Sequence, residues 1–361
     1  MRRPVALGIL LSLVLALAGV GWAADDLVVK REAAKEFATL PDGVRFPEGI
    51  AANPGTGDIF VATFDFGPNS NKLLRFRRNG KLAVQRDFGN TPLLGLAFNP
   101  LDGKVYICNV GALVGGMSKI QRIPANFTDA TPIEDVAVIP SIGPPPDRTV
   151  GNPDGSEDVI MFGNNAPAPN ALAFSYTGGD LFVSDSFQGA IFKIASVHSC
   201  PGGCPVTTVK HDGLLATAGF PPFGANGLAV NGDDTMLYVA NTGDDRILRM
   251  ELPGGPLQVF AESVNGADGI GFDQDGRLWV AANQADEVVA LNASGRVVAK
   301  LGDFEGIRKD GSPRGLLFPA SLVIVGDELF VTNLALPLTG GDEPEADVTR
   351  YTISRMRIPK P

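Results

Sequence analysis

Histidine occurs only twice in the 361 residues and cysteine three times, and Lys and Arg number 30 against 40 Asp and Glu. Each scarcity closes a class of function. With a net charge of −10, nucleic acid is not an expected partner. No G-x-S-x-G, P-loop or dinucleotide fingerprint is present, so a serine hydrolase of the elbow type finds no support. Charged residues make up 19% against 44% hydrophobic, which is ample for a large core, and a β-rich chain of this length can form one domain. Glycine and proline are plentiful but scattered, which means many turns and excludes a collagen-like or disordered tract. Long apolar runs are missing too, with one exception.

The exception is VALGILLSLVLALAGV, 16 residues following Arg2 and Arg3. Gly21 and Ala23 supply small residues at the −3 and −1 positions of a cleavage site. Residues 1–23 therefore read as an export signal, with a mature chain from about Ala24 (an uncleaved membrane anchor is the alternative). The expected product is periplasmic or secreted, without membrane attachment after cleavage. Cys200 and Cys204 flank Pro-Gly-Gly in a tight turn. They could close a disulfide ring or supply half of a zinc site; no second cysteine pair exists, and the disulfide suits an exported chain. Cys108, in KVYICNV, reads as a buried strand thiol.

What is abundant is repetition. A short apolar run, a turn with Gly and Asp or Asn, and an apolar strand with an aromatic residue recur six times. The copies are EGIAANPGTGDIFVAT, LGLAFNPLDGKVYICN, NALAFSYTGGDLFVSD, NGLAVNGDDTMLYVAN, DGIGFDQDGRLWVAA and ASLVIVGDELFVTN. They begin at Glu48, Leu94, Asn170, Asn226, Asp268 and Ala320, and third and fourth strands follow most of them. Four strands per copy at roughly 40–50 residues is the pattern of a β-propeller blade. The predicted fold is an all-β, six-bladed propeller over residues 24–361, with a β-sandwich as the alternative. EFATL (36–40) precedes the first copy, and the last copy lacks a fourth strand, so the N-terminal strand is expected to close the ring and remove an open edge. Residues 140–169, rich in Pro, Gly and Asn, read as a loop insertion between blades two and three.

In a propeller the first strands line the central channel, so the six starting residues face one mouth. Four of them, Glu48, Asn170, Asn226 and Asp268, carry oxygen. Two carboxylates and two amides in a ring suit one hard divalent cation, calcium first, with zinc or manganese as alternatives. The second strands end at the same mouth, at Thr63, Asn109, Asp185, Asn241, Ala282 and Asn333. These either hydrogen-bond the ligands from outside or cap strand ends.

FPEGI, NGLAV-x(6)-LYVANT and ADGIGFDQDGRLWVA resemble the senescence-marker/regucalcin and gluconolactonase family of six-bladed propellers, from about Phe46 to Asn333. The resemblance implies that Glu48, Asn170, Asn226 and Asp268 hold a single divalent cation. It also implies that Asp268 is the catalytic general base of a lactone hydrolase. Sugar-lactone members carry an Arg two residues before the first metal-binding Asn; Ala168 stands here, and Ala171 replaces the Gly that follows that Asn. The implied substrate is a small-molecule lactone or related ester, not fixed as a sugar lactone.

Other features read as structure. DQDG (273–276) is a hairpin turn rather than a calcium loop, GNPDGSED (151–158) a solvated loop, and His198 and His211 fall in outer strands or loops of blade three. Asn126 and Asn292 head glycosylation sequons, which matter only in a eukaryotic secretory host. Phe220 and Phe223 in GFPPFGAN form either a substrate wall or ordinary loop packing. The alternative to a hydrolase is a non-catalytic propeller that serves as a ligand- or protein-binding scaffold.

Overall fold

β-Branched and aromatic residues fill short runs, and Gly, Asn and Asp punctuate them; the runs fold as strands and the punctuation as turns. The computed structural model describes residues 27–163, 166–176 and 179–360, so the signal expected at 1–23 lies outside the described residues. Six antiparallel sheets form six blades of a β-propeller, with first strands Pro47–Asn53, Leu93–Asn99, Pro169–Phe174, Ala225–Val230, Ala267–Phe272 and Pro319–Val325. Each first strand packs against the next, and the sixth packs back on the first, closing the ring. The hydrophobic core divides accordingly into clusters between neighbouring blades. Ala51, Phe60 and Leu73 of blade one, for example, meet Leu93, Val105 and Ile107 of blade two.

Ring closure follows the sequence reading. Lys35–Thr39 pairs antiparallel with Thr352–Arg357 and supplies the fourth strand of blade six. One element was not foreseen. Val28–Lys30 adds to blade five as a fifth strand, parallel to Val297–Leu301. The stretch expected as a loop contains an antiparallel pair, Arg148–Gly151 with Glu157–Ile160. It is fastened over blades three and four by a salt bridge from Arg148 to Asp244 and by Gln188, whose side chain accepts from Ile142 N and donates to Pro140 O.

All six first strands carry the same irregularity. Their pairing with the second strand shifts by one residue across the second and third positions, as between Pro47 and Ile50 or Ala267 and Ile270. Such a bulge turns a side chain out of the regular alternation. The bulged residues are Glu48, Leu94, Asn170, Asn226, Asp268 and Ala320, each followed by a close approach to the neighbouring blade. A Cβ on Gly49 would lie 2.2 Å from Leu94 O, and one on Gly227 2.1 Å from Asp268 O. Where the following residue is not glycine, a second-strand hydroxyl bridges the blades instead. Ser184 Oγ donates to Asn226 O (2.7 Å) beside Ala171, and Thr332 Oγ1 to Glu48 O (2.7 Å) beside Ser321.

The remaining motifs are structural. Asp273 of DQDG accepts from the backbone of Asp275 and Arg277 and from Trp279 Nε1, which makes it the anchor of a hairpin turn. Cys200 and Cys204 are disulfide-bonded, and Cys108 is a buried free thiol.

Candidate metal centre

The six bulges place Glu48, Asn170, Asn226 and Asp268 around one cavity, although 220 residues of sequence separate the first from the last. All four are buried. The amide orientations are set from outside. Asn170 Nδ2 donates to Ser186 Oγ (2.8 Å), whose own proton goes to Ala225 O (2.7 Å). Asn226 Nδ2 donates to Thr242 Oγ1 (3.0 Å), whose proton goes to Ala267 O (2.8 Å). A hydroxyl that has already donated its one proton can only accept, so it holds the amide nitrogen and turns the amide oxygen the other way.

Asp268 Oδ2 accepts from Asn283 Nδ2 (2.9 Å). Asp268 Oδ1, Glu48 Oε2 and Asn170 Oδ1 are buried without a hydrogen-bond partner. A buried acceptor left unpaired costs about 1–3 kcal/mol, and all three orphans here are acceptors. Burial raises the Glu48 pKa well above the ordinary carboxylate range, and the charge of Asp268 raises it further. Burial likewise raises Asp268, against the opposing hydrogen bond from Asn283. No lysine, arginine or histidine offsets either acid among the described residues. Among those residues no three His, Cys, Asp or Glu side chains gather as a metal site. Any cation here would be held by two acids and two amides, a set of oxygens alone, which suits a hard ion.

Residues 205–302 match the family described as the SMP-30/Gluconolactonase/LRE-like region. The chain carries an SMP-30/gluconolactonase-like region. This is the resemblance read from the sequence, and the matched stretch contains Asn226, Asp268, Thr242 and Asn283. No curated protein matches the chain. Similar solved structures include a calcium-binding protein, regucalcin, from Agrobacterium tumefaciens: 16% identity, TM-score 0.59, 92% of this chain and 95% of that one. A luciferin-regenerating enzyme shares 15% identity at TM-score 0.59, over 88% of this chain and 92% of that one. A gluconolactonase from Xanthomonas campestris shares 16% at TM-score 0.54, over 89% and 88%. At these identities the likeness is one of fold.

Around the ring, the outer hydrogen bonds come from one residue beyond those expected. Asp185 instead accepts from Ala168 N, Gln188 N and Phe187 N, and Asn241 Nδ2 donates to Leu214 O and Ala216 O. These side chains tie the connection entering each blade. Ser186, Thr242 and Asn283, each directly after a second strand, reach the ring instead. Successive side chains of an extended chain face opposite ways, so the strand-end residue points away from the axis and its successor toward it. The signal was present in SDS, ANT and AAN; only the register was off by one.

Phe64 and Leu334 occupy the same successor position in blades one and six and are apolar. With Phe223, Phe318, Leu336 and Leu338 they roof the cavity, whose volume is about 30 Å³. That holds an ion and a water or two. Of the two phenylalanines singled out in GFPPFGAN, Phe223 lines the cavity, while Phe220 does not and is half-exposed. Neither His198, His211 nor the 140–169 insertion contributes a lining residue among those described.

Proposed function

We propose that the protein is an exported, metal-dependent hydrolase of lactones or related esters. The cation, calcium before zinc or manganese, would be held by Glu48, Asn170, Asn226 and Asp268. The observation that carries the reading is the convergence of three orphaned buried acceptors, on Glu48, Asp268 and Asn170, with the amides of Asn170 and Asn226 locked nitrogen-outward. When bound, the cation would supply a Lewis acid that polarises the substrate carbonyl.

Asp268 is the general base in this proposal. It would take a proton from the attacking water and return it to the leaving alkoxide. Asn283 orients the carboxylate through Oδ2. The apolar roof keeps bulk water from the ring. The SMP-30/gluconolactonase-like region at 205–302, and neighbours named as a gluconolactonase and a calcium-binding protein, support this class of reaction. Export is supported by the basic start and apolar run of residues 1–23, and the Cys200–Cys204 bond suits an oxidising compartment. The small cavity favours a second reading, in which a buried cation stiffens a non-catalytic binding scaffold.

The two readings separate in a hydrolysis screen on mature protein, before and after chelation, with calcium, zinc and manganese restored in turn. Turnover that vanishes with the metal and returns with it is expected. Stoichiometric cation binding without turnover of any lactone or aryl ester would favour the scaffold.

A further inference from the structure

We infer that this site takes a lipophilic ligand, a lactone or ester bearing an alkyl or aryl group, and not a polyhydroxylated sugar lactone. The inference rests on the hydrolase reading above and specifies its substrate class.

The first observation is the wall above the ring. Phe64, Phe223, Phe318, Leu334, Leu336 and Leu338 form it, and among the described residues no lysine or arginine lines the cavity. Its polar members outside the ring are already engaged. Thr242 Oγ1 accepts from Asn226 and donates to Ala267 O, while Asn283 donates to Asp268 and accepts from Gln284 Nε2 (3.1 Å). A sugar lactone would therefore bring several hydroxyls to a wall that offers few partners, each unpaired one losing about 1–3 kcal/mol. An alkyl or aryl group instead gains about 25 cal/mol per Å² of apolar surface removed from water.

The second observation is a row of rings that runs from solvent to the ring of oxygens. Phe66 is 58% exposed and meets Phe64 edge-on at 5.0 Å. Phe64 meets Phe223 at 6.4 Å, and Phe223 stacks on Phe187 at 5.5 Å. Phe220, half-exposed, lies next to the lining residue Pro221. Exposed phenylalanines at the outer end of an apolar wall offer a hydrophobic group a continuous surface on which to enter.

A cavity of about 30 Å³ admits no lactone, so the roof must shift for the ligand to enter. Leu336 and Leu338 lie between the strand Glu328–Asn333 and the short helix Pro344–Asp347, outside every sheet. Leu338 is steadied by Glu343, which accepts from Leu338 N (3.1 Å) and Thr339 N (2.8 Å). Lifting them breaks no strand ladder.

The test is kcat/KM of calcium-loaded mature protein on dihydrocoumarin, γ-nonalactone and δ-gluconolactone, with calcium affinity followed by calorimetry. The lipophilic substrates are expected to lead by about 100-fold or more. Phe223→Ala and Leu338→Ala should lower that lead by about 10-fold with calcium affinity unchanged. Equal or better turnover of δ-gluconolactone would overturn the inference and leave the hydrolase reading standing. If no lactone is turned over, the hydrolase reading fails on its own, and displacement of a bound apolar dye decides the ligand class. Displacement by γ-nonalactone but not by δ-gluconolactone would sustain the inference, and the absence of that difference would overturn it.

Discussion

Asn170 and Asn226 sit in successive blades and are held by the same device, a hydroxyl that accepts from the amide nitrogen and passes its own proton to a backbone carbonyl. Asp268, one blade further on, is held by an amide, Asn283, because a carboxylate needs a donor. Removing such outer partners typically costs about 10–100-fold in metal affinity. Ser186→Ala and Thr242→Ala are each expected to weaken calcium binding within that range in a calorimetric titration, with the circular dichroism spectrum unchanged. Glu48→Gln should mainly weaken the cation. Asp268→Asn should abolish hydrolysis and, in chelator, raise the melting temperature, because it removes one of two buried acids that share a cavity. A chelated Asp268→Asn protein that melts below wild type would count against the paired-acid geometry.

At the scale of the strand, the decisive element is the bulge repeated at the start of each blade. It turns one side chain toward the axis and brings the following backbone against the next blade. Gly227→Ala would put a Cβ 2.1 Å from Asp268 O, a backbone atom that cannot rotate away. A loss of about 1–3 kcal/mol in denaturant unfolding is expected, with weakened cation binding because the Asp268 backbone must shift. The strand entering blade six carries a pH-dependent contact. Phe318 N donates to Asp286 Oδ1 (2.7 Å), and burial pushes the Asp286 pKa up to about 6, with that donor opposing and Glu345 and Asp303 adding. The folded state then holds a proton that the unfolded state releases from about pH 4, so stability falls as pH rises from about 4 to 6 and levels off above. Asp286→Asn keeps the acceptor and should flatten this part of the profile. Relative to wild type it gains roughly 2–3 kcal/mol between pH 4 and 7 in paired unfolding curves.

For the whole molecule, closure matters most. The N-terminal segment contributes Lys35–Thr39 to blade six and Val28–Lys30 to blade five, so one stretch seals two neighbouring blades. Between them Ala34 is buried with Trp279, Leu316 and Met356. Deleting residues 27–40 would leave Thr352–Arg357 as an open edge. Loss of a single cooperative melting transition, with aggregation on size exclusion, is expected. Deleting 27–33 alone should lower the melting temperature and keep the transition single.

Blade number, the closing strand and the four ring positions were legible because they depend on local turn chemistry and on a repeat, and both survive in a linear reading. EFATL announced itself as a strand without a blade, and Asp268 as an oxygen-bearing start of the fifth copy. Val28–Lys30 was not legible, because three residues carry no alternation and its pairing depends on where the edge of blade five falls. Register at the second-strand ends was missed by one residue, because which of two successive polar residues turns toward the axis leaves no mark in composition. Of the roof only Phe223 was legible. Phe64 and Leu338 are remote from it in sequence and become its neighbours only once the ring has closed. By itself the sequence determined which residues carry the oxygens; tertiary structure alone decided that they are roofed by hydrocarbon, since a wall assembled from three blades exists only after the blades have met.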